Sequence, residues 1–273
     1  MKKKIASRIG FMQGRLSPIY KNKIQSFPWN NWHNELVECK KININLMEWT
    51  LDYPKLMENP LIKNTEDTFK ILKKNNISLN SVTCDFFMQK PFFKNRFTKE
   101  INVLKKIIKT LKNYKIILVI PLVDNSSVKN INEENYLKRV FLTIYKNQIK
   151  FSKLKICFES DFPPSKLKNF ISYFPKHKFG INYDTGNSAS LGYNCVEEID
   201  KLKNRIYNIH IKDRKFKSAT TRLGSGDFDF KNFFKKMNKI KYNGNFILQT
   251  ARSKKNNHLN ELKKNYKFLL NEC

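Results

Sequence analysis

The chain has 273 residues, 40% of them apolar and 22 of them phenylalanine, which is enough to bury a sizeable core and argues against a disordered protein. Mean hydropathy is -0.58, and no run approaches the ~18 to 20 consecutive apolar residues that cross a bilayer, so no spanning helix and no membrane partner are expected. The 53 Lys and Arg against 23 Asp and Glu give a formal charge of +30, yet only eight of the basic residues are Arg. Nucleic-acid readers favour the bidentate fork of Arg, so lysines scattered among asparagines read as a compositional habit rather than a nucleic-acid footprint. Such a field would still attract an anionic substrate such as a sugar phosphate.

Five cysteines, Cys39, Cys84, Cys157, Cys195 and Cys273, contain no C-x-x-C pair and are expected to be reduced core residues. Arg8 interrupts what would have to be the apolar region of a signal peptide after Met1-Lys2-Lys3-Lys4, so a cytoplasmic protein is expected. An α/β barrel commonly uses about 250 residues as one domain, and residues 1–273 are read as a single one.

Eight strand-like runs follow in order, at about 5–11, 44–49, 77–84, 115–121, 154–159, 178–184, 205–211 and 245–249. Helical spacing lies between them. Leu36, Cys39 and Lys40 follow Trp32; Phe69, Leu72 and Lys73 follow Thr65; Ile101, Leu104, Ile107, Ile108 and Leu111 form a third stripe, and Tyr136, Leu137, Val140, Phe141 and Ile144 a fourth. Pro163-Pro164-Ser165 opens the fifth helix, Asp227 or Asp229 caps the seventh, and Asn243-Gly244 turns the chain into the last strand. Eight strands alternating with eight helices predict the α/β class and a single (β/α)8 TIM barrel. An open doubly wound sheet would carry a Gly-rich turn after its first strand, whereas Gly10 to Arg15 offers two glycines at the wrong spacing.

Four of the runs stop on a residue able to hold a divalent metal: Glu159, Asp184, His210 and Gln249, spaced 25, 26 and 39 residues apart. In a barrel all four would converge on the C-terminal mouth, where barrels of every chemistry build their sites. Gln13, Arg15, Glu48, Asp85, Asp124 and Asn125 add polar groups at the other strand ends. Two carboxylates, an imidazole and an amide oxygen suit Mn²⁺, Mg²⁺ or Co²⁺ better than a thiolate-rich structural zinc site, although the sequence does not choose among these ions and Zn²⁺.

The segments Glu159-Ser160-Asp161, Tyr183-Asp184-Thr185-Gly186-Asn187, His210-Ile211-Lys212-Asp213-Arg214 and Gly224-Ser225-Gly226-Asp227-Phe228-Asp229-Phe230 resemble the sugar phosphate isomerase/epimerase family of xylose-isomerase-like TIM barrels. The likeness runs from Gly14-Arg15-Leu16-Ser17-Pro18 and Met47-Glu48-Trp49 to Gln249. It implies a divalent metal on Glu159, Asp184, His210 and Gln249, and proton transfer next to a sugar carbonyl. The chain departs from the family pattern at strand 8, where a Glu often works with the strand 5 Glu as an acid/base pair. Gln249 can coordinate through oxygen but takes no proton, so Glu159 is expected to act as a lone base, in an aldose–ketose isomerisation rather than a two-base epimerisation.

Arg15, Glu48, Asp85, Asn187, Lys212 and Arg214 are expected to line the substrate pocket, with Glu48, Lys212 or Asp213 as candidates for a second acid/base group. Gly224 and Gly226, with Arg222 and Arg252, are placed to hold a phosphate or to form an ordinary turn. Trp29, Trp32, Trp49, Phe86, Phe87, Phe92 and Phe93 read mostly as packing, with a wall over the site or a homodimer contact as alternatives. Related barrels include metal-dependent dehydratases of polyols or keto acids, and nothing in the chain excludes that outcome. Apurinic endonucleases of this barrel type need many histidines for several metals, whereas this chain has four and only His210 closes a strand. A non-catalytic sugar-binding barrel is the remaining alternative.

Overall fold

The computed structural model describes residues 5–20, 23–95, 98–253 and 255–273. Eight parallel strands close a barrel: β1 (Ile9–Met12), β2 (Leu46–Thr50), β3 (Ser78–Thr83), β4 (Ile117–Leu122), β5 (Lys155–Ser160), β6 (Phe179–Asp184), β7 (Ile206–Ile211) and β8 (Asn245–Leu248), with β8 pairing β1 to complete the ring. The expected (β/α)8 barrel is therefore the fold. The first strand begins later than expected. Ile5 and Ala6 are helical, and the Arg8 N–H closes a turn on the Ile5 carbonyl, so only residues from Ile9 pair with β8.

Eight main helices jacket the barrel: α1 (Trp32–Glu38), α2 (Thr65–Lys74), α3 (Thr98–Leu111), α4 (Ile131–Ile144), α5 (Pro164–Ser172), α6 (Cys195–Leu202), α7 (Phe230–Lys239) and α8 (His258–Glu272). In α3 the residues at three and four spacing, Ile101, Leu104, Ile107, Ile108 and Leu111, are the buried face. Pro164 takes the first turn of α5, where its missing N–H removes no bond, and Asp229 rather than Asp227 caps α7 by accepting from the Asn232 N–H at 3.0 Å. Short helices at Asp85–Gln89 and Thr185–Leu191 are inserted directly after β3 and β6.

Strand alternation divides the apolar residues into two bodies. Outward-facing Phe11, Trp49, Phe158 and Ile209 join the helices in one large core, whereas Met12, Leu46 and Ile247 form a small separate cluster. Ile247 is in register with His210 and Met12 with Glu48, so that cluster fills the barrel interior beneath the polar residues of the mouth. Phe86, Phe87, Phe92 and Phe93 are buried; Phe87 and Phe92 pack on Phe141, Phe93 on both of them and Phe86 on Tyr53, and Trp32 and Trp49 lie in the same core with Phe27. These aromatics are packing residues, and the Phe cluster offers no exposed dimer face. All five cysteines are free, and four are buried.

Candidate metal centre at the barrel mouth

Glu159, Asp184 and His210 lie at the C-terminal ends of β5, β6 and β7, with one ligand atom of each within 4.8 Å of the others. Each is held by groups that the strand alternation brings inside. The Asn182 Nδ2 donates to Glu159 Oε2 at 2.9 Å and the Asn187 Nδ2 to Glu159 Oε1 at 3.0 Å, so both carboxylate oxygens are oriented. Asp184 is the cap of the short helix that follows it: its Oδ1 accepts the Asn187 N–H at 2.8 Å, which leaves Oδ2 aimed at the mouth.

His210 is fully buried and bonded through Nε2 to Glu48 Oε1 at 2.6 Å. That contact turns the other ring nitrogen, Nδ1, toward Glu159 Oε2 at 3.0 Å and Asp184 Oδ2 at 3.9 Å. Glu48 is itself fixed by the Asn208 Nδ2, which donates to Oε2 at 2.9 Å and to Asn182 Oδ1 at 2.8 Å. Burial alone would lower the imidazole's basicity, but the Glu48 and Glu159 carboxylates outweigh it and raise the His210 pKa to about 10. Burial likewise opposes the Glu159 charge; His210 and Lys212 overcome it and hold that carboxyl below its ordinary value.

Three buried atoms here make no aligned hydrogen bond: Asp184 Oδ2, His210 Nδ1 and Gln249 Oε1. Buried polar atoms are rarely left so, and a concentration of them at one barrel mouth marks a place for a ligand. Lys212 Nζ approaches Asp184 Oδ2 to 2.9 Å as a charge contact. Gln249 follows β8 and anchors its N–H on the Ile211 carbonyl at 3.0 Å; two residues after inward-facing Ile247, its side chain shares that face. The donor set of carboxylate oxygens, one imidazole nitrogen and one amide oxygen fits a divalent cation, and the orphaned atoms are the ones such an ion would take.

The motif after β6 explains itself residue by residue. The Thr185 hydroxyl donates to the Lys212 carbonyl at 2.5 Å and accepts the Lys212 N–H at 2.9 Å, which locks β6 to β7 at the mouth. A Cβ on Gly186 would come within 2.7 Å of Lys212 Cδ, so glycine lets the lysine stem cross over it. Asn187 also accepts from Arg214 Nη1 at 3.3 Å. Arg15 is buried on the β8–β1 side, donating to the Thr250 carbonyl at 3.0 Å and to Gln25 Oε1 at 2.7 Å, with Arg252 nearby and bonded to the Ser17 carbonyl. Burial and Arg252 weigh against the Arg15 charge, and Asp85 and Glu35 support it.

Several expectations change. Glu48 is not a pocket-lining residue: it is fully buried and both its oxygens are engaged by His210 and Asn208. Gly224 and Gly226 do not present a free anion cradle, because their N–H groups both donate to Asp213 Oδ2 at 2.9 Å and the Phe228 N–H donates to Asp213 Oδ1 at 3.3 Å. The anion of that loop is the chain's own, which also removes Asp213 as an acid/base candidate. Arg222 is exposed, 3.9 Å from Glu261 of α8. Asp124 and Asn125 are exposed in a short turn after β4. Sequence reasoning missed Asn182 and Asn208, although each stands two residues before a ligand candidate on the same strand face, as Asn-x-Asp and Asn-x-His.

A family model described as the xylose isomerase-like TIM barrel matches residues 36–271. The chain belongs to that family. No curated protein matches the sequence. Among solved structures, this xylose isomerase-like barrel is similar to a xylose isomerase domain protein from Planctomyces limnophilus (15% identity, TM-score 0.72, 97% of this chain and 96% of that one). It is also similar to D-psicose 3-epimerase with D-tagatose from Clostridium cellulolyticum H10 (11%, 0.72, 96% and 98%). A third is a xylose isomerase-like TIM barrel protein from Mycobacterium smegmatis in complex with magnesium (12%, 0.69, 96% and 95%). At these identities the likeness speaks for the fold.

Proposed function

We propose that the protein is a divalent-metal-dependent isomerase or epimerase of a sugar or sugar phosphate, acting by proton transfer next to a carbonyl. The observation that carries this reading is the convergence of Glu159, Asp184 and His210 at the strand ends, with Asp184 Oδ2 and His210 Nδ1 buried and without aligned hydrogen-bond partners; Gln249 Oε1, after β8, is likewise unpartnered. A bound Mn²⁺, Mg²⁺, Co²⁺ or Zn²⁺ would polarise the substrate carbonyl and stabilise charge on its oxygen. Glu159, Asp184, His210 and Gln249 would hold it. The magnesium of the Mycobacterium smegmatis relative and the D-tagatose of the Clostridium cellulolyticum enzyme are in keeping with such a site on this scaffold.

The chain's own groups then have separable roles. Glu159 is the base that removes the proton from the carbon beside the carbonyl; Asn182 and Asn187 fix its direction and His210 and Lys212 keep it ionised. Glu48 sets the His210 tautomer with Nδ1 toward the ligand position. Asn187, Lys212, Arg214, Arg15 and Arg252 provide donors for substrate hydroxyls or a phosphate.

Elemental analysis for the metal, followed by NMR of proton exchange into sugars and sugar phosphates in D2O, tests the reading. Wild type should carry about one metal per chain and exchange a carbon-bound proton, and Glu159→Gln should slow that exchange by ~10²- to 10⁴-fold while keeping the metal-free fold. A Glu159→Gln protein that turns over like wild type would remove the base assignment.

A further inference from the structure

With Gln249 in place of a carboxylate, the mouth lacks a second proton carrier at strand 8, and the remaining acids there can be sorted by what already occupies them. Glu48 has both oxygens bound, Asp213 accepts three backbone N–H groups, and Asp161 takes the Ser127 hydroxyl. Asp52 accepts the Phe27 N–H at 3.2 Å. Asp85 differs. It follows β3 by two residues, is 6% exposed, and binds the Thr83 hydroxyl through Oδ1 at 3.2 Å, while its buried Oδ2 has no partner among the described residues.

Thr83 is two residues beyond Ser81, which is in register with inward-facing Glu48, so Thr83 faces the barrel interior and holds the Asp85 carboxyl over the mouth. We infer that Asp85, after β3 and two strands around the ring from Glu159 on β5, is the second acid/base group of the site, a catalytic residue that delivers a proton to the face of the substrate carbon that Glu159 does not serve. This rests on the proposed proton-transfer function and changes its outcome, from isomerisation by one base to inversion of one carbon by two groups.

The step balances without a further reactant. Glu159 takes the proton of the carbon beside the carbonyl, the C–H electron pair becomes the new C=C bond of an enediolate, and the carbonyl π pair moves onto oxygen. In the return step those pairs move back and the carbon takes the Asp85 proton on the opposite face. Glu159 leaves protonated and Asp85 ionised, and exchange with water resets both.

The charge environment agrees with that placement. Burial and the neighbouring Asp52 carboxylate, with Glu159 and Glu48 adding to them against the Thr83 bond, raise Asp85 to about 7, so its carboxyl can hold a proton near neutral pH. Arg15 is the cation that faces Asp85, and Cys84 is its buried chain neighbour.

The experiment follows both faces of the reaction at once. Wild type and Asp85→Asn, each loaded with Mn²⁺, are incubated in D2O with D-tagatose, D-fructose and their phosphates, and deuterium content and configuration are read by NMR. Wild type should give the epimer with one solvent deuterium at the inverted carbon. Asp85→Asn should cut inversion by at least ~100-fold while the recovered substrate still acquires deuterium with retained configuration through Glu159, and its Mn²⁺ affinity by calorimetry should stay within about threefold. Inversion at wild-type rate in Asp85→Asn overturns the inference alone, as does a parallel loss of exchange and inversion with metal affinity intact. Wild type that exchanges no proton with any probe overturns the functional reading and this inference together.

Discussion

The loops that leave β6 and β7 look alike in sequence, each placing aspartate, glycine and asparagine or serine at the barrel mouth, yet they do different work. After β6, Asp184 uses one oxygen to cap the short helix at Asn187 and leaves the other without an aligned donor. After β7, Asp213 gives its oxygens to the N–H groups of Gly224, Gly226 and Phe228, and a Cβ on Gly226 would run into its carboxylate. The first loop keeps binding capacity open toward the mouth, and the second closes on itself. What separates a ligand from a brace is therefore the number of free lone pairs left after local structure is satisfied, not residue type.

The sharpest way to break this contrast is at Asp184. Asparagine can still cap through its amide oxygen, so Asp184→Asn should fold as wild type by circular dichroism while losing metal affinity by more than the ~10- to 100-fold that removal of an outer partner costs. Calorimetric titration with Mn²⁺ measures this, and unchanged affinity would show that Oδ2 is not a ligand.

Glu48 comes next because it acts one bond further out. Glu48→Gln keeps the volume and one acceptor but removes the charge that fixes the His210 ring. Mn²⁺ affinity should fall ~10- to 100-fold. A metal-free 15N titration should also show the His210 imidazolium losing its proton at lower pH, because Glu48 is one of the two carboxylates that raise its pKa, a readout that a purely packing role would not move.

Much of this was legible in the chain. Strand positions, the parallel barrel and the four strand-end ligand candidates come from alternation and spacing, which are local properties. Asn182 and Asn208 were legible in principle, since period-two alternation puts them on the faces of Asp184 and His210. Other features depend on long-range partners. A glycine pair reads as an anion cradle unless Asp213, eleven residues before Gly224, is known to fill it. Glu48 reads as a pocket acid until the closed barrel brings it 2.6 Å from a histidine 162 residues away. The start of β1 was misplaced because Ile5 to Arg8 has strand-like residues, but pairing with β8 begins only at Ile9.

At Asp213 the expected effect moves from function to stability. Asp213→Ala strips an acceptor from three backbone donors and should cost about 1 to 2 kcal/mol, read as a lower denaturant midpoint. Metal affinity should be unchanged. A loss of metal affinity equal to that of Asp184→Asn would erase the distinction between the two loops.

The smallest effect concerns Asp85, where the free oxygen should have a cost in stability. Its folded pKa is raised from 3.8 to about 7, mainly by burial and then by Asp52. Below pH 3.8 the carboxyl is protonated in both folded and unfolded chains and costs nothing. As pH rises, the unfolded chain releases this proton first, so the folded state binds more protons and stability falls until the folded pKa is passed. Asp85→Asn has no such proton to lose. The variant should therefore melt higher than wild type at pH 8 by several °C, with the advantage shrinking toward pH 4, when both are compared without metal. A variant that is less stable at pH 8 by the same measure would mean that Asp85 is a structural anchor through the Thr83 bond rather than a group held in reserve for chemistry.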